Sequence, residues 1–442
     1  MKQPLRTLAV TSLLLLTSTN TFALGFLQAY ELAEKRDPEI LAASFEYQAA
    51  VSTRSQSMSA LLPNINLDVF AQKVEQSSNP SSSITDYDSS GYTLSLTQSI
   101  YNHDQYLKLE QTDLSIASAA ATYAAAKQTL ILRVAEAYYS VLAANDNLIF
   151  AKAENIAISK QLEQAKSRFD VGLIAITDVK ESQAQYDLSV ASVIQAENLL
   201  STTRETLHSI IGETSGSLNA LSENIPLVIP QPANINQWVE TSRKNNLTLK
   251  AAQYAYEIAN KQIHINKSGH YPSLNLSLAH DDVTQEISNS SDIDSDGTTL
   301  SLNLSIPIYS GGLTNAKTQQ AVFLKERSRA LREKTLRDII KLSRDSYLGV
   351  TTTIAQVKAF KQALTSTQSA YEATQAGFEV GTRTTVDVLS VLREQYRAER
   401  DYAQTRYNYI LNILRLKQAA GTLSKQDVIN INKWLNADLE KK

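Results

Sequence analysis

Residues 169–179 read Phe-Asp-Val-Gly-Leu-Ile-Ala-Ile-Thr-Asp-Val, and residues 378–388 read Phe-Glu-Val-Gly-Thr-Arg-Thr-Thr-Val-Asp-Val. Gly172 and Gly381 stand 209 residues apart, as do Gly212 and Gly421, and as do Pro63 and Pro272. Three anchors on one offset mark an internal duplication. Each turn has a long helical pattern before it and another behind it, with Gly in the usual place of a helix C-terminal cap. One such turn is simply a helix hairpin. Two of them at the ends of very long helices make the tips the expected working part.

The helices are legible from what they lack. From His103 to Val171 there is neither Gly nor Pro, and Leu130, Val134, Ala137, Val141 and Ala144 recur at three-and-four spacing. A helix of about 65 residues would be about 100 Å long at 1.5 Å per residue. The span from Leu313 to Val380 repeats the pattern, with interruptions expected at Gly349 and Gly377. Shorter helices are expected from Thr177 to Ile211 and from Thr385 to Ala420. Helical stretches at residues 39–61 and 247–270 have about the length these lack. Each is expected to stack end to end with its short helix beside the long one, giving four helical columns.

Ahead of each long helix the period changes from about three and a half to two. Ile65, Leu67, Val69 and Ala71 alternate with Asn66, Asp68 and Phe70; Tyr92, Leu94 and Leu96 alternate with Thr93, Ser95 and Thr97. The second copy has Leu274, Leu276 and Leu278 against Ser273, Asn275 and Ser277, then Leu300, Leu302 and Leu304 against Ser301, Asn303 and Ser305. Period two with one apolar and one Ser/Thr/Asn face marks strands between a hydrocarbon phase and water. Each copy is expected to carry one hairpin of roughly ten-residue strands, the length a tilted barrel strand needs, joined by long polar loops. Beyond residue 23 no apolar run approaches membrane-helix length, so a bilayer would be crossed as a closed β-barrel. Four strands cannot close one, since small barrels have about eight. The chain is therefore expected to pool its strands with other copies.

Residues 1–23 read as a signal peptide: Lys2 and Arg6, an apolar stretch from Leu8 to Leu16, then Thr21-Phe22-Ala23. The boundaries expected after it are a first repeat at 24–225, a second at 226–421, and a polar C-terminal segment at 422–442 wrapping the outside. With 43% hydrophobic residues, a net charge of −3 and no Cys, the chain suits an exported folded protein without disulfides. That charge argues against nucleic acid as a partner. Asp292, Asp294, Asp296 and Gly297 resemble the start of a calcium loop, but Asn303 holds the position where such a loop needs a bidentate Glu. His264 and His270 are six apart, a poor geometry for one ion. No nucleotide loop, nucleophile elbow or carboxylate pair is present, so no catalytic site, cofactor or metal is assigned.

The stretches Arg133-Val-Ala-Glu-Ala-Tyr-Tyr-Ser-Val-Leu142, Phe169 to Asp178, Ile306-Pro-Ile-Tyr-Ser-Gly-Gly312, Val380 to Val388, Tyr407-Asn-Tyr-Ile410 and Ala420-Gly-Thr422 together resemble the TolC family of outer-membrane channel-tunnels. The likeness covers essentially the whole chain after residue 23. It implies a mixed, mainly α fold: a duplicated long-helix α-barrel whose four strands per chain enter a trimeric 12-stranded outer-membrane β-barrel. It also implies a homotrimer in outer-membrane lipid, projecting into the periplasm as the exit duct of a tripartite efflux or type I secretion system. A periplasmic adaptor and an inner-membrane pump, of RND or ABC type, are the implied partners. Gly172 and Gly381 would mark the adaptor-contact turns. Thr177, Asp178 and Arg383 match the residues that latch the periplasmic entrance, and Asp387 matches a constricting aspartate that rings the aperture. Phe378 replaces a latch Tyr and Ser390 a second aspartate, so one hydroxyl link and one acidic ring are missing. Asp178 and Asp387 lie in the first turn of a helix, where the dipole alone stabilises a carboxylate by about 0.3–1 kcal/mol; only the resemblance assigns them to a gate. Crowding of like charges in the ring is expected to push its titration upward. The competing reading is a barrel-anchored periplasmic or surface coiled-coil structural protein.

Overall fold

The computed structural model describes residues 23–77, 84–214, 216–287 and 291–436; most of the expected signal peptide, residues 1–22, and the last six residues lie outside these. The chain is mainly helical, with one four-stranded sheet, and falls into two compact units.

The first unit holds residues 1–36, 134–227 and 426–442. Helix α1 (Phe26–Arg36) lies within it, and its Phe26 is fully buried against Tyr138 and Tyr139, with ring centroids 5.8 and 5.7 Å away. The Tyr138 hydroxyl donates toward the Leu24 and Asn219 carbonyls, at 3.0 and 2.9 Å, so this buried polar group is satisfied by the backbone. Burial pushes the ionisation of that hydroxyl well above the usual tyrosine range. Two short strands, β3 (Ala220–Leu221) and one at Leu435–Asn436, pair antiparallel, and Leu27 N–H donates to Asn432 Oδ1 at 3.0 Å. The C-terminal segment, including the helix Lys425–Asn432, is thus tied to Ala220–Leu221 and to Leu27 of α1.

The second unit holds residues 37–133 and 228–425. Helix α2 (Pro38–Ser59) starts where Asp37 caps it, Oδ1 accepting from Ile40 N–H at 2.9 Å, with Pro38 in the first helical position where its missing donor costs nothing. Strands β1 (Asn64–Ser77), β2 (Ile84–Asn102), β4 (Ser273–Ile287) and β5 (Ile293–Ser305) form one sheet in the order β1-β2-β4-β5, every neighbour antiparallel. The strands run longer than the ten residues expected, because backbone pairing continues to Ser77 with Ile84 and to Gln285 with Ile293. The long polar loops of the sequence reading are therefore mostly strand. Ile293 to Gly297, inside the supposed calcium loop, is strand as well.

The long helices are α3 (His103–Asp170, 68 residues) and α7 (Leu313–Glu379, 67 residues). Gly349 and Gly377 do not interrupt α7, contrary to expectation: a single helical Gly costs only about 1 kcal/mol, and each has neighbouring side-chain atoms over it. Helices α6 (Leu247–Lys267, extended by a 3-10 turn to His270) and α8 (Thr385–Ala419) both pack on α7. They meet end to end, as expected: Asn246 caps α6 and its amide donates to the Ala419 carbonyl at 3.0 Å. None of the described helices is long and apolar enough to cross a membrane.

Candidate functional site

The two helix tips are built alike. After α3, Gly172 N–H donates to Phe169 O at 2.8 Å and Leu173 N–H to Arg168 O at 2.9 Å; after α7, Gly381 N–H donates to Phe378 O at 3.1 Å and Thr382 N–H to Gly377 O at 2.8 Å. These are the paired bonds of a Schellman cap, and they require a left-handed residue. Gly172 and Gly381 supply it at φ +79° and +80°. Open space surrounds both, so conformation and not crowding demands glycine there.

Beyond the glycines the copies diverge. The valines ahead of them, Val171 and Val380, are 70% and 77% exposed alike, but the first tip continues with Leu173, 72% exposed, Ile174 and Ala175. The second continues with Thr382, Arg383 and Thr384 at the equivalent sequence positions. The Arg383 stem lies over the last turn of α7, where a Cβ on Gly377 would sit 2.9 Å from Arg383 Cγ. A side chain at 377 would have to displace that stem.

The sequence-expected gate residues fall into both units. Thr177 and Asp178 occupy the first turn of α4 (Ile176–Ile211) in the first unit, with Thr177 exposed. Arg383 and Asp387 flank the start of α8 in the second. Ala175 begins α4 with no side-chain cap, whereas Thr384 begins α8 with a complete capping box. Asp387 Oδ2 accepts from Thr384 N–H at 2.9 Å and from Thr384 Oγ1 at 3.0 Å, while Asp387 N–H donates back to Thr384 Oγ1 at 3.2 Å. These bonds, with a smaller pull from Arg383, hold the Asp387 carboxyl below its ordinary range. Within one chain the direction is opposite to the upward push expected from crowding. The box was legible as Thr384-Thr-Val-Asp387, a hydroxyl followed three residues later by a carboxylate, and the sequence reading passed over it.

The apolar face of the sheet is the other unusual surface. Ile65, Leu67 and Val69 pair with Leu96, Leu94 and Tyr92; Leu96 pairs with Leu278, and Leu278 with Leu300, so these side chains share one side. Val69 is 75% exposed and Leu302 65%. The opposite side carries Asn66, Asp68, Thr93, Asp281, Ser301 and Asn303, with Thr93 Oγ1 donating to Asp281 Oδ1 at 2.8 Å. A greasy face this large on a sheet with a wet reverse fits lipid on one side and water on the other.

Comparison with known proteins agrees. Residues 29–213 and 238–422 each match the model of a family described as outer membrane efflux protein, two matches on the same 209-residue offset. The chain is 37% identical over 421 residues to the outer membrane protein TolC of Vibrio cholerae, covering 95% of each. It is 26% identical over 426 residues to the alkaline protease secretion protein AprF of Pseudomonas aeruginosa, covering 94% of this chain and 88% of that one. It shares its fold with the Campylobacter jejuni CmeC outer membrane channel at a TM-score of 0.78 and 15% identity, over 93% of this chain and 90% of the other. Duplicated long helices, a one-face-apolar sheet and these matches lead to one assignment: the chain belongs to the outer membrane efflux protein family, as a TolC-like outer-membrane channel protein.

Proposed function

We propose that three copies pool their sheets into a 12-stranded outer-membrane barrel continued by a helical tunnel into the periplasm, forming the exit duct of an efflux or type I secretion assembly. The observation that carries this reading is the open sheet. β1 and β5 are its unpaired edges, and the alternation of directions makes them antiparallel to each other. The β5 edge of one copy can therefore pair with the β1 edge of the next and repeat until closure, which removes every exposed edge. Four strands fall short of the roughly eight a barrel needs, and three copies exceed it. Large apolar side chains left exposed on the helices, Phe45, Ile156, Leu188 and Phe323 among them, give the copies further surface to share.

The tips are the periplasmic entrance in this reading. Thr177, Asp178 and Arg383 serve there as latch residues, a guanidinium fork being suited to a carboxylate and a hydroxyl at once. Asp387, once per copy, lines the aperture. The turns at Gly172 and Gly381 meet a periplasmic adaptor, and an RND or ABC pump in the inner membrane supplies the drive and selects the cargo. The names of the TolC and AprF relatives support an exit duct serving efflux or protein secretion. Static light scattering of the detergent-solubilised protein tests the assembly: a mass of three chains is expected, and a monomer would overturn it.

A further inference from the structure

The two tips differ at the position that starts the returning helix. Ala175 stands there in the first copy and Thr384 in the second, each 3 residues ahead of the equivalent carboxylates Asp178 and Asp387. We propose that Thr384 is the positioning residue of the aperture: its hydroxyl and amide clamp the Asp387 carboxylate in one orientation. This rests on the reading of Asp387 as the aperture group.

The geometry is specific. One hydroxyl both donates to Oδ2 and accepts from the Asp387 amide, and the Thr384 amide donates to the same Oδ2. Two donors on one carboxylate oxygen favour the charged form and fix its direction. The charged neighbour is Arg383 on the preceding turn, and it pulls the same way. Asp178 has no such holder, because Ala175 offers no side-chain oxygen or proton. The duplication has thus produced one carboxylate held fast by its own turn and one left to find a partner elsewhere, the division of labour that an aperture group and a latch group require. A carboxylate that must repel anions in every closed channel gains from a fixed position, whereas one that must release its partner on opening does not.

The test is a carboxyl titration on the full-length assembly. Difference infrared spectroscopy, with each background paired against its own Asp387→Asn version, reads the midpoint of the Asp387 carboxyl. Thr384→Val keeps the β-branched shape and removes the hydroxyl, and its midpoint should move to higher pH. Thr384→Ser restores the hydroxyl and should titrate with wild type. An unmoved midpoint in Thr384→Val, or an equal movement in Thr384→Ser, overturns the proposal. Reversal potentials across planar bilayers in a salt gradient, taken on the same proteins, separate the two ideas. If cation preference follows the carboxyl midpoint, both stand. If Asp387→Asn leaves the potential unchanged while the infrared midpoint still shifts in Thr384→Val, the clamp stands and the aperture lies elsewhere.

Discussion

Asp37 and Asn246 cap the same helix twice. They stand 209 residues apart, both buried, and each accepts a backbone N–H from three residues on: Ile40 at 2.9 Å and Leu249 at 3.1 Å. What differs is the cation. Asp37 is bound by the guanidinium of Arg133 from α3, which also holds Glu39, whereas Leu342 occupies the place equivalent to Arg133 in the second copy. A charged cap with a counter-ion and a neutral cap without one are two solutions to the same burial problem.

Removing the counter-ion alone should therefore be costly. Arg133→Leu is expected to destabilise by about 3 kcal/mol, the scale for orphaning a buried carboxylate. Adding Asp37→Asn, which copies the second repeat, should recover most of it. Denaturant resistance of the helical circular dichroism signal checks this, and no recovery in the double variant would contradict it.

The lipid face makes a separate prediction. Leu302 shares its side of the sheet with Leu276, and an Arg there should cost about 2–4 kcal/mol if the position lies near mid-bilayer. Ser301→Arg, on the wet side, should cost much less. The yield of folded assemblies extracted from membranes reads the difference, and equal yields would mean the faces are assigned the wrong way round.

How much of this was readable in advance varies with the physics involved. The long helix α3 was legible almost to the residue, because neither Gly nor Pro breaks it and its apolar positions keep one period. The outer half of β2 was not: Ile84 to Gly91 reads Ile-Thr-Asp-Tyr-Asp-Ser-Ser-Gly, a polar loop by composition. It is strand because the ladder from β1 continues beside it, and backbone pairing leaves no trace in side-chain pattern. Gly377 misled in the other direction, since α7 runs through it unbroken. At the tips both Gly turns were legible from one motif. The gate assignments of Thr177, Asp178, Arg383 and Asp387 came from resemblance, whereas the clamp on Asp387 was legible as a hydroxyl three residues ahead of a carboxylate.

The apolar first tip should matter for partners and not for folding. Val171 and Leu173 project into solvent from the turn, so Val171→Ser with Leu173→Ser should leave assembly yield within about 0.5 kcal/mol of wild type. Binding of a purified adaptor, measured by surface plasmon resonance, should weaken at least several-fold. Unchanged binding would move the adaptor contact away from this turn.

In the proposed function the tips close the duct at rest through weak, separable contacts. An exposed ion pair contributes only about 0.2–1 kcal/mol, so three latches of this kind should yield to an adaptor that binds the open form better. Single-channel recording of wild type and Arg383→Ser in planar bilayers addresses this directly. Wild type should give a small cation-preferring conductance and Arg383→Ser a clearly larger one at equal assembly yield. Identical conductances from the two proteins would contradict it.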